Sequence, residues 1–286
     1  LITGISGYIG SCLYYHLKQK FKIFGIDKIN TKLIPVKKLN LLDIKKLDVF
    51  LKKEKPNLVI HLAAQSLVDE TINKKKYFLN NVTATKNLIY IMKKNNLDNL
   101  IFSSTAALYK FKNKILTESC DINPKSTYAK TKYECEKIIK NSKLNSIILR
   151  FFNVCSSLKI KNNIIGEFHN PETHLIPTIV YKNLCKQRIY IYGNDYKTKD
   201  GTCVRDYIHV HDICRAIYKS VNYLKKNKNC FEIINIGSSS KITNLEILNK
   251  IKDITRIDNK YEVVKRRAGD VDFLTCSTRK AKNKLK

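Results

Sequence analysis

Thr3-Gly4-Ile5-Ser6-Gly7-Tyr8-Ile9-Gly10 is the stretch that decides the fold of this chain. An apolar run, residues 1–3, leads into it, and a helical pattern over 8–18 leads out of it. The glycines stand at a GxxGxxG spacing. In that setting Gly4 makes a tight bend and Gly7 lets the backbone approach a pyrophosphate. Gly10 lets the helix pack on the sheet, with its N-terminus toward the phosphates. Asp27 ends the next strand pattern, 17 residues beyond Gly10. A carboxylate there accepts from both ribose hydroxyls and repels a 2′-phosphate, which favours NAD over NADP.

Working outward, strand and helix patterns alternate through the first half. Strands are expected over 21–27, 58–62, 99–103 and 146–152, and helices over 43–53, 80–95 and 128–141. This order predicts an α/β fold, a doubly wound parallel sheet of Rossmann type. The second half is less regular. It holds a turn-rich stretch over 162–177, a helix over 178–186 and a loop over 193–202. A strand over 232–236 and a helix over 244–254 follow. We therefore expect an NAD-binding domain over 1–155, rejoined by 206–236. A smaller mixed α/β substrate domain would use 156–205 and 237–286. The chain opens inside an apolar strand without Met and ends in a basic helical pattern, so truncation is expected at both ends.

Composition narrows the function classes. Among 286 residues, 54 are Lys or Arg and 24 are Asp or Glu, a formal charge of +30. Such a charge first suggests a polyanion partner. But 46 of the 54 cations are lysines dispersed along the chain, and only eight are arginines, the residue that reads nucleic acid bidentately. We read the charge as a solvated surface and expect neither a nucleic-acid nor a membrane partner. No run of 18 apolar residues is present. Nine cysteines without a CxxC pair point to reduced thiols and a cytoplasmic location. The six histidines are not spaced as ligands with Cys or Glu, so no metal is expected. His209 and His211 alternate in a strand-like run and are read as sharing one face.

Tyr128 and Lys132 form YxxxK in a helical pattern and so face one side, one turn apart. A phenol titrates near 10. A lysine ammonium one turn away, together with a cationic nicotinamide, would lower that value and make Tyr128 a general base. Ser103-Ser104-Thr105 ends a predicted strand about two dozen residues earlier. A hydroxyl there faces the crevice where ligands bind, so Thr105 is expected to hydrogen-bond the same substrate oxygen.

GxxGxxG, His61-Leu62-Ala63-Ala64, Asn80-Asn81-Val82, Ser103-Ser104-Thr105 and YxxxK together resemble the extended short-chain dehydrogenase/reductases, the NAD-dependent epimerase/dehydratase group. Residues 166–177, 192–210 and Arg266-Arg267-Ala268-Gly269-Asp270 look like the uridine-nucleotide and signature segments of its UDP-glucose 4-epimerases. The resemblance runs from end to end. It implies an isomerase in which Tyr128 takes the proton of the sugar 4-hydroxyl while hydride passes to NAD. Lys132 bonds the nicotinamide ribose and Thr105 aligns the hydroxyl. The 4-keto sugar then turns over and receives hydride on its other face, in galactose and nucleotide-sugar metabolism. By the same resemblance Gly4, Gly7, Tyr8, Ile9 and Gly10 hold the pyrophosphate, Asp27 the adenosine ribose, and Asp43 and Ile44 the adenine. Leu62, Ala63, Ala64, Asn81 and Ser103 line the cofactor channel. Asn153, His174, Leu175, Tyr192, Arg205, Tyr207, Arg267 and Asp270 match UDP-sugar positions. Two of the scarce arginines, Arg205 and Arg267, fall where a diphosphate wants cationic forks.

There are departures. Gln65-Ser66 stands where many relatives carry a cofactor-contacting Lys, Phe151 replaces a frequent Tyr, and Ser238-Ser239-Ser240 replaces a glycine-rich turn. Leu274 occupies the position that gates the N-acetyl pocket. Ala106-Ala107 after Thr105 supplies no general acid, which disfavours 4,6-dehydration. Remaining alternatives are 4-epimerisation of another UDP-sugar (UDP-GlcNAc, UDP-xylose or arabinose, UDP-glucuronate) and a non-catalytic NAD sensor or nucleic-acid binder. The resemblance also implies a homodimer, built on helices over 81–95 and 128–140 with Tyr90, Ile91 and Tyr133 on the shared face.

Overall fold

The structure, a computed structural model, describes residues 1–66, 73–110, 114–160, 163–167, 169, 172–258, 260–267 and 270–286. Phe168, Asn170 and Pro171 of the nucleotide-loop motif and Ala268-Gly269 of RRxGD lie outside the described residues. The strands of the central sheet are β1 (Ile2–Thr3), β2 (Gly25–Asp27), β3 (Lys37–Lys38), β4 (Val59–His61), β5 (Asn99–Thr105), β6 (Asn145–Phe151) and β7 (Phe231–Ile236). They run parallel in the order β7-β6-β5-β4-β1-β2-β3. Strand order reverses beside β1, and in such sheets ligands sit at the carboxyl ends of the strands at that point.

Period-two alternation buries the sheet on both faces. Leu100 and Phe102 of β5 and Ile148 of β6 pack with Leu47, Leu51, Leu88, Ile91 and Ile139 on one side. Ile101, Ile147 and Leu149 pack with Leu13, Leu17, Ile213, Ile217 and Leu224 on the other. A parallel sheet needs cover on both faces, and the helices Tyr8–Leu17, Ile44–Glu54, Ala84–Lys94, Thr127–Ser142 and Val210–Lys226 provide it.

Three local readings change. Val210–Lys226 is a 17-residue helix where the alternating histidines suggested a strand. The strand stops at His209, which caps the helix through its ring, accepting from the His211 N–H at 3.0 Å. The signal was present: Val210, Ile213, Cys214, Ile217, Val221 and Leu224 are buried at helical spacing. The expected helix over 80–95 begins earlier, as Lys74–Tyr77, and passes through a π-helical segment, Phe78–Thr83, before Ala84–Lys94. The turn-rich stretch carries a short strand, Asn163–Gly166, and its last residues begin the helix Leu175–Leu184.

Small sheets cluster beyond the carboxyl ends. Val204–Arg205 lies between Ile242–Thr243 and Phe273–Leu274, and Ile189–Tyr192 pairs with Tyr261–Val264. A separate apolar cluster joins Ile179, Ile189, Ile191, Leu248 and Ile251.

His61 ties β4 to its neighbours. Its ring nitrogens lie 2.7 Å from the Thr3 hydroxyl and 3.0 Å from the Thr85 hydroxyl. Burial, reinforced by the Lys132 charge, pulls its pKa down to about 3. Between about 6.5 and about 3 the unfolded chain takes up a proton here and the native chain does not, so stability falls with pH through that window. The urea midpoint is expected to drop from about pH 7 to about pH 5, with a smaller drop in His61→Gln. Equal drops in both proteins would contradict this assignment.

Candidate active site

A cleft of about 600 Å³ opens at the carboxyl ends of β1, β4 and β5. One wall is the glycine turn. Gly4 has φ +70°, and a Cβ there would stand 2.6 Å from the Ala63 amide nitrogen. A Cβ on Gly10 would meet the Gly4 carbonyl at 2.3 Å. Both positions therefore require glycine. Gly7 caps the helix Tyr8–Leu17 with no side-chain hydrogen bond, and its first turn carries no acid. The positive pole of the helix thus faces the cleft without a built-in counter-charge, which fits an anionic group such as a pyrophosphate. Asp27 projects from the end of β2 and accepts from the Ser6 N–H at 3.0 Å and the Ile29 N–H at 3.1 Å. It is thereby held against the turn.

The opposite wall carries the reactive hydroxyls. Ser126 caps the helix Thr127–Ser142 and so fixes Tyr128 and Lys132 on its inner side. Tyr128 is half-buried, lines the cleft and is hydrogen-bonded to Thr105 at the end of β5. Burial raises the Tyr128 pKa to about 12, against the lowering effect of Thr105. Lys132 was expected to depress that value. Its ammonium instead donates to the Ser103 carbonyl at 2.7 Å and sits 4.6 Å from the centre of the Phe102 ring. Burial lowers the pKa of Lys132 itself to about 8.

A buried ion pair stands behind this wall. Glu136, one turn past Lys132, receives Arg150 at 3.0 and 2.7 Å and the Ser104 hydroxyl at 2.5 Å. The active helix, β5 and β6 are so locked in register next to Thr105.

The cleft brings together Gly4, Gly7, Tyr8, Ile9, Gly10, Asp27, Leu62, Ala63, Ala64, Ser103, Thr105, Tyr128 and Lys132 with Asn153, His174, Leu175 and Tyr207. Other expected positions lie outside its lining. Asp43 caps the helix Ile44–Glu54 by accepting from the Lys46 N–H at 3.1 Å, and Ile44 is exposed. Asn81 is buried and braces the wall, accepting from the Gln65 N–H at 2.7 Å and donating to the Thr131 hydroxyl at 2.9 Å. Its neighbour Asn80 faces the cleft. Arg205 donates to the Val204 and Val271 carbonyls at 2.9 and 2.8 Å and pairs with Asp270 at 3.1 Å. Arg267 stacks 3.9 Å over the Tyr192 ring. These four residues form two couples beyond the lining.

Sequence reasoning assigned no site role to Ser66, Asn80, Glu167 or His169, all of which line the cleft. Glu167 and His169 lay inside a quoted motif, and their side chains meet His174 only through the folded loop. The histidines read as unsuited to metal thus converge with Glu167, with ligand atoms within 4.8 Å of one another. Glu167 is partly buried, and desolvation together with the nearby Glu172 charge raises its pKa to about 7.

Comparison with known proteins agrees with this geometry. The chain is 37% identical over 302 aligned residues to a UDP-glucose 4-epimerase of Lactobacillus helveticus, covering 100% of this chain and 90% of the relative. A crystal structure of a UDP-glucose 4-epimerase superposes with TM-score 0.91 at 35% identity, covering 99% of this chain and 90% of the other. The Brucella ovis UDP-glucose 4-epimerase, solved in complex with NAD, gives TM-score 0.93 at 32% identity, with 99% and 91% covered. Among the described residues no helix is long and apolar enough to cross a membrane. Residues 1–237, which include the glycine turn, β5 with Thr105 and the Tyr128 helix, match the profile of the NAD dependent epimerase/dehydratase family, and the chain belongs to that family.

Proposed function

We propose that this chain is an NAD-dependent UDP-glucose 4-epimerase, interconverting UDP-galactose and UDP-glucose. The observation that carries the reading is the meeting of Tyr128, Thr105 and Lys132 in the same cleft as the uncapped glycine turn. Full-length similarity to UDP-glucose 4-epimerases supports the sugar and the cofactor.

Bound NAD supplies the acceptor and donor of hydride. The chain supplies position and proton transfer. Gly4, Gly7, Tyr8, Ile9 and Gly10 hold the cofactor's pyrophosphate and Asp27 its ribose diol. Leu62, Ala63 and Ala64 bound the channel that leads to Tyr128. Tyr128 Oη removes the proton of the sugar 4-hydroxyl and later returns one to the opposite epimer. Thr105 Oγ1 accepts from the Ala107 N–H at 3.2 Å, so its single proton stays available to be donated to the phenol oxygen or, with substrate bound, to the sugar oxygen. Lys132, fixed on the Ser103 carbonyl, is one turn from Tyr128 and presents its charge to the ribose. The UDP group falls to Asn153, His174, Leu175 and Tyr207. The pairs Arg205–Asp270 and Arg267–Tyr192 close over it. Ala106 and Ala107, both in the cleft lining, offer no acid to expel a hydroxyl, which separates this site from a dehydratase.

We assign residues 1–155 and 206–236 to the cofactor-binding domain and the remainder to the sugar-nucleotide domain. β7 lying beside β6 supports that rejoining. A cytoplasmic location is supported by nine free cysteines, five of them buried. We also assign a homodimer. Phe78, Leu79 and Tyr90 are exposed on the helical segments of 78–94, and Tyr133 is partly exposed on the neighbouring helix. Ile91 lies in the core and has no part in that face. Sedimentation velocity should give twice the chain mass, falling to the single mass in Tyr90→Glu. A monomeric parent would remove the dimer.

The function is tested by incubating purified protein with UDP-galactose and no added reductant. UDP-glucose should accumulate until the two epimers reach equilibrium. No conversion by NAD-loaded protein would overturn the reading.

A further inference from the structure

We propose that Glu167, His169 and His174 form a divalent transition-metal site of zinc type on the rim of the cleft, with an open coordination position toward it. The argument starts from donor chemistry. Two imidazoles and one carboxylate are a ligand set that zinc takes when a fourth position is left to another oxygen. Glu167 Oε1 lies 3.3 Å from His174 Nδ1 and 3.9 Å from His169 Nδ1. With metal–ligand bonds of about 2.0–2.2 Å, the edges of a tetrahedron are about 3.3–3.6 Å. Two of the three donor separations thus stand at or within a few tenths of an ångström of that edge. The third is bounded by the 4.8 Å span of the cluster.

A second observation comes from an orphaned atom. His169 Nδ1 is buried and has no hydrogen-bond partner among the described residues, although Glu172 Oε2 and Glu167 Oε1 lie 3.5 and 3.9 Å away. A buried nitrogen without a partner keeps an uncompensated desolvation penalty unless something occupies its lone pair. Glu172 is already engaged. Its carboxylate accepts from the backbone N–H groups of His169, Thr173 and His174 at 3.0, 2.8 and 2.8 Å. It therefore ties His169 and His174 together through their backbone amides, and its Oε1 lies 3.2 Å from His174 Nδ1, so a metal taking that nitrogen displaces the proton now shared with Glu172. All three proposed ligands line the cleft, so an oxygen of a bound molecule can complete the coordination.

The test is independent of the epimerase reading, because it needs neither NAD nor UDP-sugar. Chelator-treated full-length protein is titrated with Co²⁺ and followed by visible absorption. One saturating equivalent is expected, with the intense ligand-field bands of a tetrahedral nitrogen and oxygen site and no thiolate-to-cobalt band. Added Zn²⁺ should abolish the signal. Glu167→Gln, which keeps the side-chain shape, and His169→Ala should each weaken Co²⁺ binding about 10-fold or more. Thermal unfolding without metal verifies that the variants are folded. The site is refuted by absence of saturable binding, by a thiolate band, or by unchanged affinity in folded Glu167→Gln.

Discussion

Tyr128→Phe is expected to lower kcat by about 10²–10⁴-fold, the usual contribution of a placed general base or acid. KM for UDP-galactose should change little, because the phenol oxygen acts on the hydroxyl in the transition state rather than on the nucleotide. Bound NAD, measured after denaturation, should be retained at the parent level. The pH profile gives a second reading. Burial raises this phenol to about 12 in the protein alone, so almost none is ionised near neutrality. The active base must be generated by positive charge brought into the cleft, and kcat/KM should rise with pH until that lowered value is reached. Rates that stay flat from about pH 6 to about pH 9, or a Phe variant within a few-fold of the parent, would remove Tyr128 from the chemistry.

Glu136→Ala should cost about 3–5 kcal/mol of stability, because it strands Arg150. Both side chains are almost fully buried, at 4% and 3% exposure. The guanidinium cannot reach water, and the Ser104 hydroxyl loses its partner at the same time. The loss should appear as a lower urea midpoint at unchanged slope. Replacing the pair together, as Glu136→Leu with Arg150→Met, should recover most of the stability. Activity should recover less, because Ser104 stands between Ser103, which anchors Lys132, and Thr105. A double variant with full kcat would mean that the pair contributes to stability alone. If Glu136→Ala unfolds at the parent midpoint, the buried pair has been misread.

How much of this was legible beforehand follows from the kind of signal each element carries. The doubly wound sheet was readable because local physics dictates it: GxxGxxG has one easy use between a strand and a helix, and β5 and β6 alternate apolar residues on both faces. Boundaries slipped by a residue or a few, except where a local pattern had two meanings. His209 and His211 alternate like a strand, yet the apolar positions from Val210 onward repeat at helical spacing, and seven residues of core contact decide for the helix. The π-helical segment of 78–83 carried no sequence mark. It places Asn80 in the cleft and Asn81, which was expected to line the cofactor channel, in its support.

The sequence by itself determined the fold class and the inventory of reactive groups, since spacing along a helix or strand controls which side chains share a face. Tertiary structure decided what each group faces. Lys132 lies one turn from Tyr128 in any helix, but only the packed sheet turns its ammonium onto the Ser103 carbonyl. Glu167, His169 and His174 have an unremarkable spacing, and only the turn held by Glu172 makes them converge. Arg205 is taken up by Asp270 and two carbonyls because Val204–Arg205 pairs with Phe273–Leu274, about 70 residues away. Electrostatic environment depends on distance in space and on burial, and neither is a property of sequence separation.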